Sequence, residues 1–192
     1  MTQVWERWHT VWIITAALVP LTALGTAAVT RARLRAGVPR ARAWRRSLAE
    51  AAMVLGTLPW VWMTLTPVSV PEGTVLVYLV PLSDLRAQLT QPLPWVVVQT
   101  VGNLAVFFAL GAGAPVRFAA LASPARLLLL GAGCSLLVEL TQRVFVAGRV
   151  CSVDDVLINA AGCLLGGLLT YRWWARPAVP AAPDLAARAA RR

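Results

Sequence analysis

The run from Val11 to Val29, 19 residues without a charge, constrains this chain more than any other feature. A helix needs about 20 mainly apolar residues to cross the roughly 30 Å hydrocarbon core of a bilayer, so the run is long enough to span. Four more apolar runs follow: about Leu48 to Thr66, Trp95 to about Val116, about Leu127 to Val146, and about Val156 to Trp174. The composition agrees, with 58% hydrophobic and 14% charged residues, against about 45 to 50% and about 25% in soluble domains. An ordinary soluble domain and a disordered chain are both excluded. The expected fold class is all-α, a polytopic membrane helical bundle of about five transmembrane helices.

Two runs need comment. Ala23-Leu24-Gly25 imitates the cleavage site of a signal peptide. Signal h-regions, however, run about 7 to 15 residues behind a positive n-region, whereas here the run is longer and Glu6 offsets Arg7. A retained span is the better reading. Between the second and third runs, residues 67 to 94 hold five prolines, and their one apolar stretch, Val75 to Val80, is too short to span. This segment is expected to be a loop with an interfacial piece, and Pro59 is expected to kink the second span.

The charge of +10 comes from 18 arginines, no lysine and eight acids. In a soluble chain this balance would suggest nucleic acid; here it sets topology, and no nucleic-acid partner is expected. Seven arginines, from Arg31 to Arg46, fall in one 16-residue connection without an acid. With the N-terminus outside and the C-terminus cytoplasmic, 14 of the 18 arginines fall inside; the outer side keeps Arg7, Arg86, Arg149 and Arg143. That orientation satisfies the rule that short loops rich in Lys/Arg stay in the cytoplasm. The chain then divides into a first helix plus arginine-rich loop (1–47), a four-span membrane domain (48–176) and an Ala/Pro/Arg-rich cytoplasmic tail (177–192).

Nucleophile and metal chemistry find little support. Cys134 and Cys163 lie in apolar runs and Cys151 in a polar connection, so no disulfide framework is implied. His9 is the single histidine and receives no role. No catalytic residue, metal site or cofactor is assigned.

The costly residue is Glu139, about 10 Å from the outer end of the fourth span, where a charge must face protein or water. Ser135, Glu139 and Gln142 share one helical stripe, and Arg143 at i+4 offers Glu139 a local ion pair. In the fifth span Asp155, Asn159, Gly162 and Gly166 follow at i, i+4, i+7 and i+11; the two glycines suit close helix packing. Asn103 lies about 12 Å below Trp95 in the third span. The connection between spans four and five carries Arg149, Asp154 and Asp155. Ser152 with Asp155 has the S-x-x-D form of a capping box, so one reading is capping and packing alone. The other is a polar pocket: Arg149, Asp154 and Asp155 as roof, Asn103, Glu139, Gln142 and Asn159 as floor.

At these residues the chain resembles the VanZ-like family of bacterial membrane proteins. The pattern runs from Ser135 through Glu139 and Gln142, then Gly148-Arg149, Asp154-Asp155, Asn159, Gly162 and Gly166. Weaker agreement comes from Leu65-Thr66-Pro67, from Val80-Pro81-Leu82-Ser83-Asp84, and from Asn103 to Phe107 leading to Gly111, so the resemblance covers about Leu65 to Trp174. Tyr78 and Ala109 depart from it, standing where an asparagine and a proline are common; without that proline nothing in the residues calls for a backbone break in span three. The resemblance implies a multi-pass protein of the bacterial cell membrane, and the family's namesake is associated with low-level resistance to the glycopeptide teicoplanin.

Three functions compete. The first is a non-enzymatic binder of an envelope amphiphile, a lipid-linked or glycopeptide-type ligand, through the outer-leaflet pocket. The second is an intramembrane enzyme acting on a lipid-linked substrate with Glu139 or Asp155 as base. The third is a structural accessory, homo-oligomeric or bound to a membrane partner, through its glycine face.

Overall fold

The computed structural model describes residues 2–70, 77–146 and 148–175. The first apolar run becomes α1 (Thr2–Arg35), longer than the run at both ends and continuous through Pro20. It stops where Gly37 takes φ +77, with the Gly37 and Val38 N–H groups donating to Leu34 and Arg33 carbonyls. This is the Schellman ending that glycine permits. Behind Pro39 the chain reverses into α2 (Arg40–Thr64), which contains Pro59 and packs against α1.

Residues 77 to 92, expected as irregular loop, hold more order than the prolines suggested. Val77–Tyr78 (β1) pairs in parallel with Cys151–Ser152 (β2), and α3 (Ser83–Gln88) follows. The all-α expectation is corrected to that extent: a two-residue ladder clips the segment before the third apolar run to the connection between the fourth and fifth.

The third apolar run forms α4 (Leu93–Val106) and α5 (Phe108–Arg117), separated at Phe107, which has φ −114 and ψ 10. The absence of a proline at Ala109 therefore does not keep this helix straight. Phe107 is buried beside Val106 and Cys163. The carbonyls of Leu104 and Phe108, on either side of it, lie against Gly162 and Gly166. Tertiary packing sets the break. α6 (Pro124–Phe145) and α7 (Val153–Leu169) complete the fold. α7 packs against α4, α5 and α6, while α2 packs against α1 and α5.

Among the described residues, three helices are long and apolar enough to cross a membrane: Glu6–Arg35, Leu93–Arg117 and Pro124–Phe145. α2 begins with Arg40, Arg42, Arg45 and Arg46, and the 17 residues of α7 rise only about 25 Å. Burial is inverted relative to a water-soluble bundle. Leu129, Phe145 and Leu169 are more than 70% exposed, while Ser135, Glu139, Gln142, Asp154 and Asn159 are buried. Leucine outside and amide inside suits a hydrocarbon surrounding.

Candidate functional site

The stripe on α6 faces inward: Ser135, Glu139 and Gln142 are 0%, 4% and 6% exposed, while Leu140 and Val144 on the other side are open. On α7, Asn159, Gly162 and Gly166 are buried and Asp155 half-buried. A Cβ on Gly162 would meet the Leu104 carbonyl oxygen at 2.1 Å, and one on Gly166 the Phe108 oxygen at 2.0 Å. Both helices thus turn their polar and small residues toward the bundle. Asn159 Nδ2 donates to Ser135 Oγ at 2.8 Å, joining the two stripes directly.

Between them, residues 148–152 fold over the end of α2. Gly148 has φ +74 and leaves no room for a Cβ, which would lie 1.6 Å from the Val68 carbonyl oxygen. Arg149 follows. Its Nε donates to the Thr66 carbonyl at 2.9 Å and its Nη2 to that of Met63, while Gln142 Nε2 donates to that of Thr64 at 2.7 Å. The last carbonyls of a helix have no partner within it. Here a guanidinium and an amide supply three donors, and a cation at this end also matches the helix dipole.

Asp154 works at the opposite kind of helix end. Its carboxylate accepts the Leu82 N–H at 2.5 Å and the Leu85 N–H at 2.9 Å, at the start of α3, where Leu82 takes φ +65. Its own N–H donates to Ser152 Oγ at 3.1 Å, so Ser152 does cap α7. The reciprocal half of the capping box is not formed. The Ser152 N–H donates to Glu139 Oε2 at 3.2 Å, and Asp155 accepts instead from Asn103 Nδ2 across to α4. Nor does Arg143 pair with Glu139; it is exposed, and no salt bridge among the described residues includes it.

Asn103, Glu139, Gln142, Arg149, Asp154, Asp155 and Asn159 are therefore linked into one end of the bundle, directly or through Ser135, Ser152 and the end of α2. Two members went unread in the sequence. Asp84 and Gln88 of α3 are buried and joined, Gln88 Nε2 to Asp84 Oδ2 at 2.7 Å, and the Asp84 charge acts on Glu139 and Asp155. The proline-rich surroundings hid them, although the Val80 to Asp84 motif pointed to this segment.

Donors in the cluster are largely used, while several acceptors are not. Gln88 Oε1, Gln142 Oε1 and Asn159 Oδ1 are buried without a hydrogen-bond partner. In the connection, burial lowers the Arg149 pKa from its ordinary value and the nearby Arg7 adds to this, while Glu139 and Asp155 oppose it. Burial pushes the Cys151 thiol up to about 11, and its hydrogen bond to Glu139 and that group's charge push the same way. No three carboxylate, cysteine or histidine groups among the described residues converge to hold a metal ion.

The family model of VanZ/LLP1 matches residues 53–175, well over half of the chain. The chain belongs to the VanZ/LLP1 family. The match begins inside α2, earlier than the motifs alone suggested, and includes every residue of the cluster. It leaves α1 and the arginine-rich turn outside the family region. A VanZ/LLP1 assignment, together with helices of membrane-crossing length and an apolar exterior, makes this a membrane protein. No curated protein and no solved structure matches the chain.

Proposed function

We propose that this VanZ/LLP1 protein is a multi-pass protein of the bacterial cell membrane, with five spans, the N-terminus outside and the cluster in the outer leaflet. There it binds, without chemical conversion, the headgroup of an envelope amphiphile or a glycopeptide-type compound. The observation that carries the reading is the surplus of buried acceptors. Gln88 Oε1, Gln142 Oε1 and Asn159 Oδ1 lack donors, and the buried Glu139 and half-buried Asp155 each add a carboxylate, accepting from the Ser152 N–H and from Asn103 Nδ2 respectively. Burying a polar atom without a partner costs on the order of 1 to 3 kcal/mol. A ligand rich in hydroxyl, amide or ammonium N–H groups would remove that cost, which favours a sugar or aminated headgroup over a bare phosphate. In this division of labour Arg149 and Asp154 hold the frame by capping α2 and α3. Asn103, Glu139, Gln142, Asp155 and Asn159 address the ligand.

Mass spectrometry of lipids and glycans retained by the full chain in mild detergent tests the proposal. A hydroxyl- or amine-rich molecule should copurify with the wild type and be depleted at least tenfold, per mole of folded protein, in Asp155→Asn and in Gln142→Met, the second of which also loses the donor to the Thr64 carbonyl. Cells carrying the wild type, but not these variants, should show raised tolerance to teicoplanin. Equal retention in all three proteins, or nothing beyond bulk phospholipid, would overturn the reading and leave the cluster as helix-to-helix glue.

A further inference from the structure

The opposite end of the bundle holds a different kind of space. A groove of about 760 Å³ lies between the first turns of α2, the end of α5 and the turn after α7, with Arg42, Arg45, Arg46 and Arg172 on its walls. A second hollow of about 340 Å³ shares Arg45, Val116 and Trp173 with it and continues along Leu48, Ala52 and Ala112. The pair forms one path, cationic at the mouth and apolar beyond. Both volumes fall in the range of roughly 300 to 1,000 Å³ usual for ligand clefts.

The charge at the mouth is uncompensated. Arg42, Arg45 and Arg46 stand at i, i+3 and i+4, one helix face, where like charges repel. Among the described residues none of the four is in a salt bridge. The nearest acid in sequence, Glu50, is fully engaged: it takes Arg33 Nη2 at 2.6 Å and also Arg117 Nε, binding α1, α2 and α5 together. The groove is nonetheless built rather than frayed. The Ala175 N–H donates to the Pro115 carbonyl at 2.8 Å, Trp174 Nε1 to the Gly167 carbonyl at 2.9 Å, and Thr170 Oγ1 to the Ala112 carbonyl at 2.8 Å. These bonds fix the turn that carries Arg172 and Trp173.

We infer that this path is a binding site for an anionic phospholipid, its phosphate on the arginines and an acyl chain in the apolar hollow. Guanidinium groups match phosphate oxygens in planar, two-pronged geometry. Basic pockets between helices beside an anionic leaflet take such headgroups. The apolar continuation distinguishes a lipid from a soluble phosphate, and four unpaired cations exclude a neutral or cationic occupant. The site stands apart from the outer cluster, and its fate does not depend on that proposal.

The full chain, reconstituted with photoactivatable phosphatidylglycerol in phosphatidylcholine vesicles, supplies the test. Crosslinks should map to the segments holding Arg42 to Ala52 and Ala112 to Val116. Replacing Arg42, Arg45 and Arg46 together by Gln should reduce crosslinking by on the order of tenfold or more. Should that variant fail to purify, Arg172→Gln on the facing wall should still reduce it severalfold. Ala52→Phe, which fills the hollow, should weaken capture while leaving the charge intact. Arg31→Gln with Arg35→Gln removes similar charge from the same end outside the groove and should have little effect. Equal loss in that control would show diffuse surface attraction and overturn the site. Displacement by millimolar inorganic phosphate with no effect of Ala52→Phe would show a free-anion site and overturn the lipid assignment.

Discussion

We propose that Arg149, a pocket residue in the sequence reading, acts mainly as a cap. Its place in a polar connection and its charge made it part of the pocket roof, while its half-buried guanidinium donates to the carbonyls of Met63 and Thr66. Arg149→Ala should therefore destabilise the protein by about 2 to 4 kcal/mol, since two hydrogen bonds from a charged group are lost, each worth about 1.5 to 3 kcal/mol, and the half-buried Thr66 carbonyl loses its donor while that of Met63 keeps the Thr66 N–H at 3.3 Å. Lysine, a point charge, cannot serve both carbonyls in the same geometry, so Arg149→Lys should recover only part of the loss. Thermal denaturation followed by size-exclusion chromatography checks both, and a fully stable alanine variant would return Arg149 to the ligand. Cys151 gives a second, independent reading of the same connection. With its thiol raised to about 11, mainly by burial and further by Glu139, it is protonated at neutral pH. Only the thiolate is alkylated. Its labelling rate should thus keep rising beyond pH 9, where an ordinary thiol levels off near its pKa of about 8.5. Glu139→Gln removes the charge and should speed labelling at pH 8. A rate that saturates near pH 9 in the wild type would place the thiol outside the Glu139 environment.

At the scale of elements, the glycines of α7 decide how close the third run can come. The Cβ positions of Gly162 and Gly166 coincide with backbone oxygens of Leu104 and Phe108, which cannot swing aside as a side chain can. Gly162→Ala and Gly166→Ala should each force α4 and α5 away from α7 and lower thermal stability sharply. Gly133→Ala on the open face of α6, where nothing lies within 4 Å, should be neutral or stabilising by up to about 1 kcal/mol, since alanine is the better helix former. Tolerance at Gly162 and Gly166 equal to that at Gly133 would refute the close contact. The stripe was legible because helical periodicity alone groups Asp155, Asn159, Gly162 and Gly166 on one face. The break at Phe107 was not, because its cause lies on α7 and leaves no proline or glycine at the break itself. The same limit hid α3: its buried Asp84 and Gln88 acquire meaning only when Asp154, about 70 positions away in the chain, accepts the Leu82 and Leu85 N–H groups.

For the molecule as a whole, the sequence separates two ends by charge, and the fold keeps them separate. Arg33, Glu50 and Arg117 meet at one end with the arginine-walled groove, while the acidic cluster and Arg149 meet at the other. The apolar runs announced the helices because hydrocarbon admits few alternatives; what fills each end was hidden because it depends on contacts between runs. Arginine-rich short connections resist translocation, and the seven arginines from Arg31 to Arg46, at the end of α1 and the start of α2 with no acid among them, are the strongest such signal in the chain. The arginine end should therefore be cytoplasmic. A cysteine placed at Ala36, in a chain whose three native cysteines are replaced, should be protected from a membrane-impermeant maleimide in intact cells and react after permeabilisation. A cysteine replacing Arg86 on the opposite side, where the α3 segment meets the cluster, should react without permeabilisation. Labelling of Ala36→Cys in intact cells with protection of Arg86→Cys would invert the molecule, place the acceptor cluster on the cytoplasmic side and remove the envelope amphiphile as its ligand.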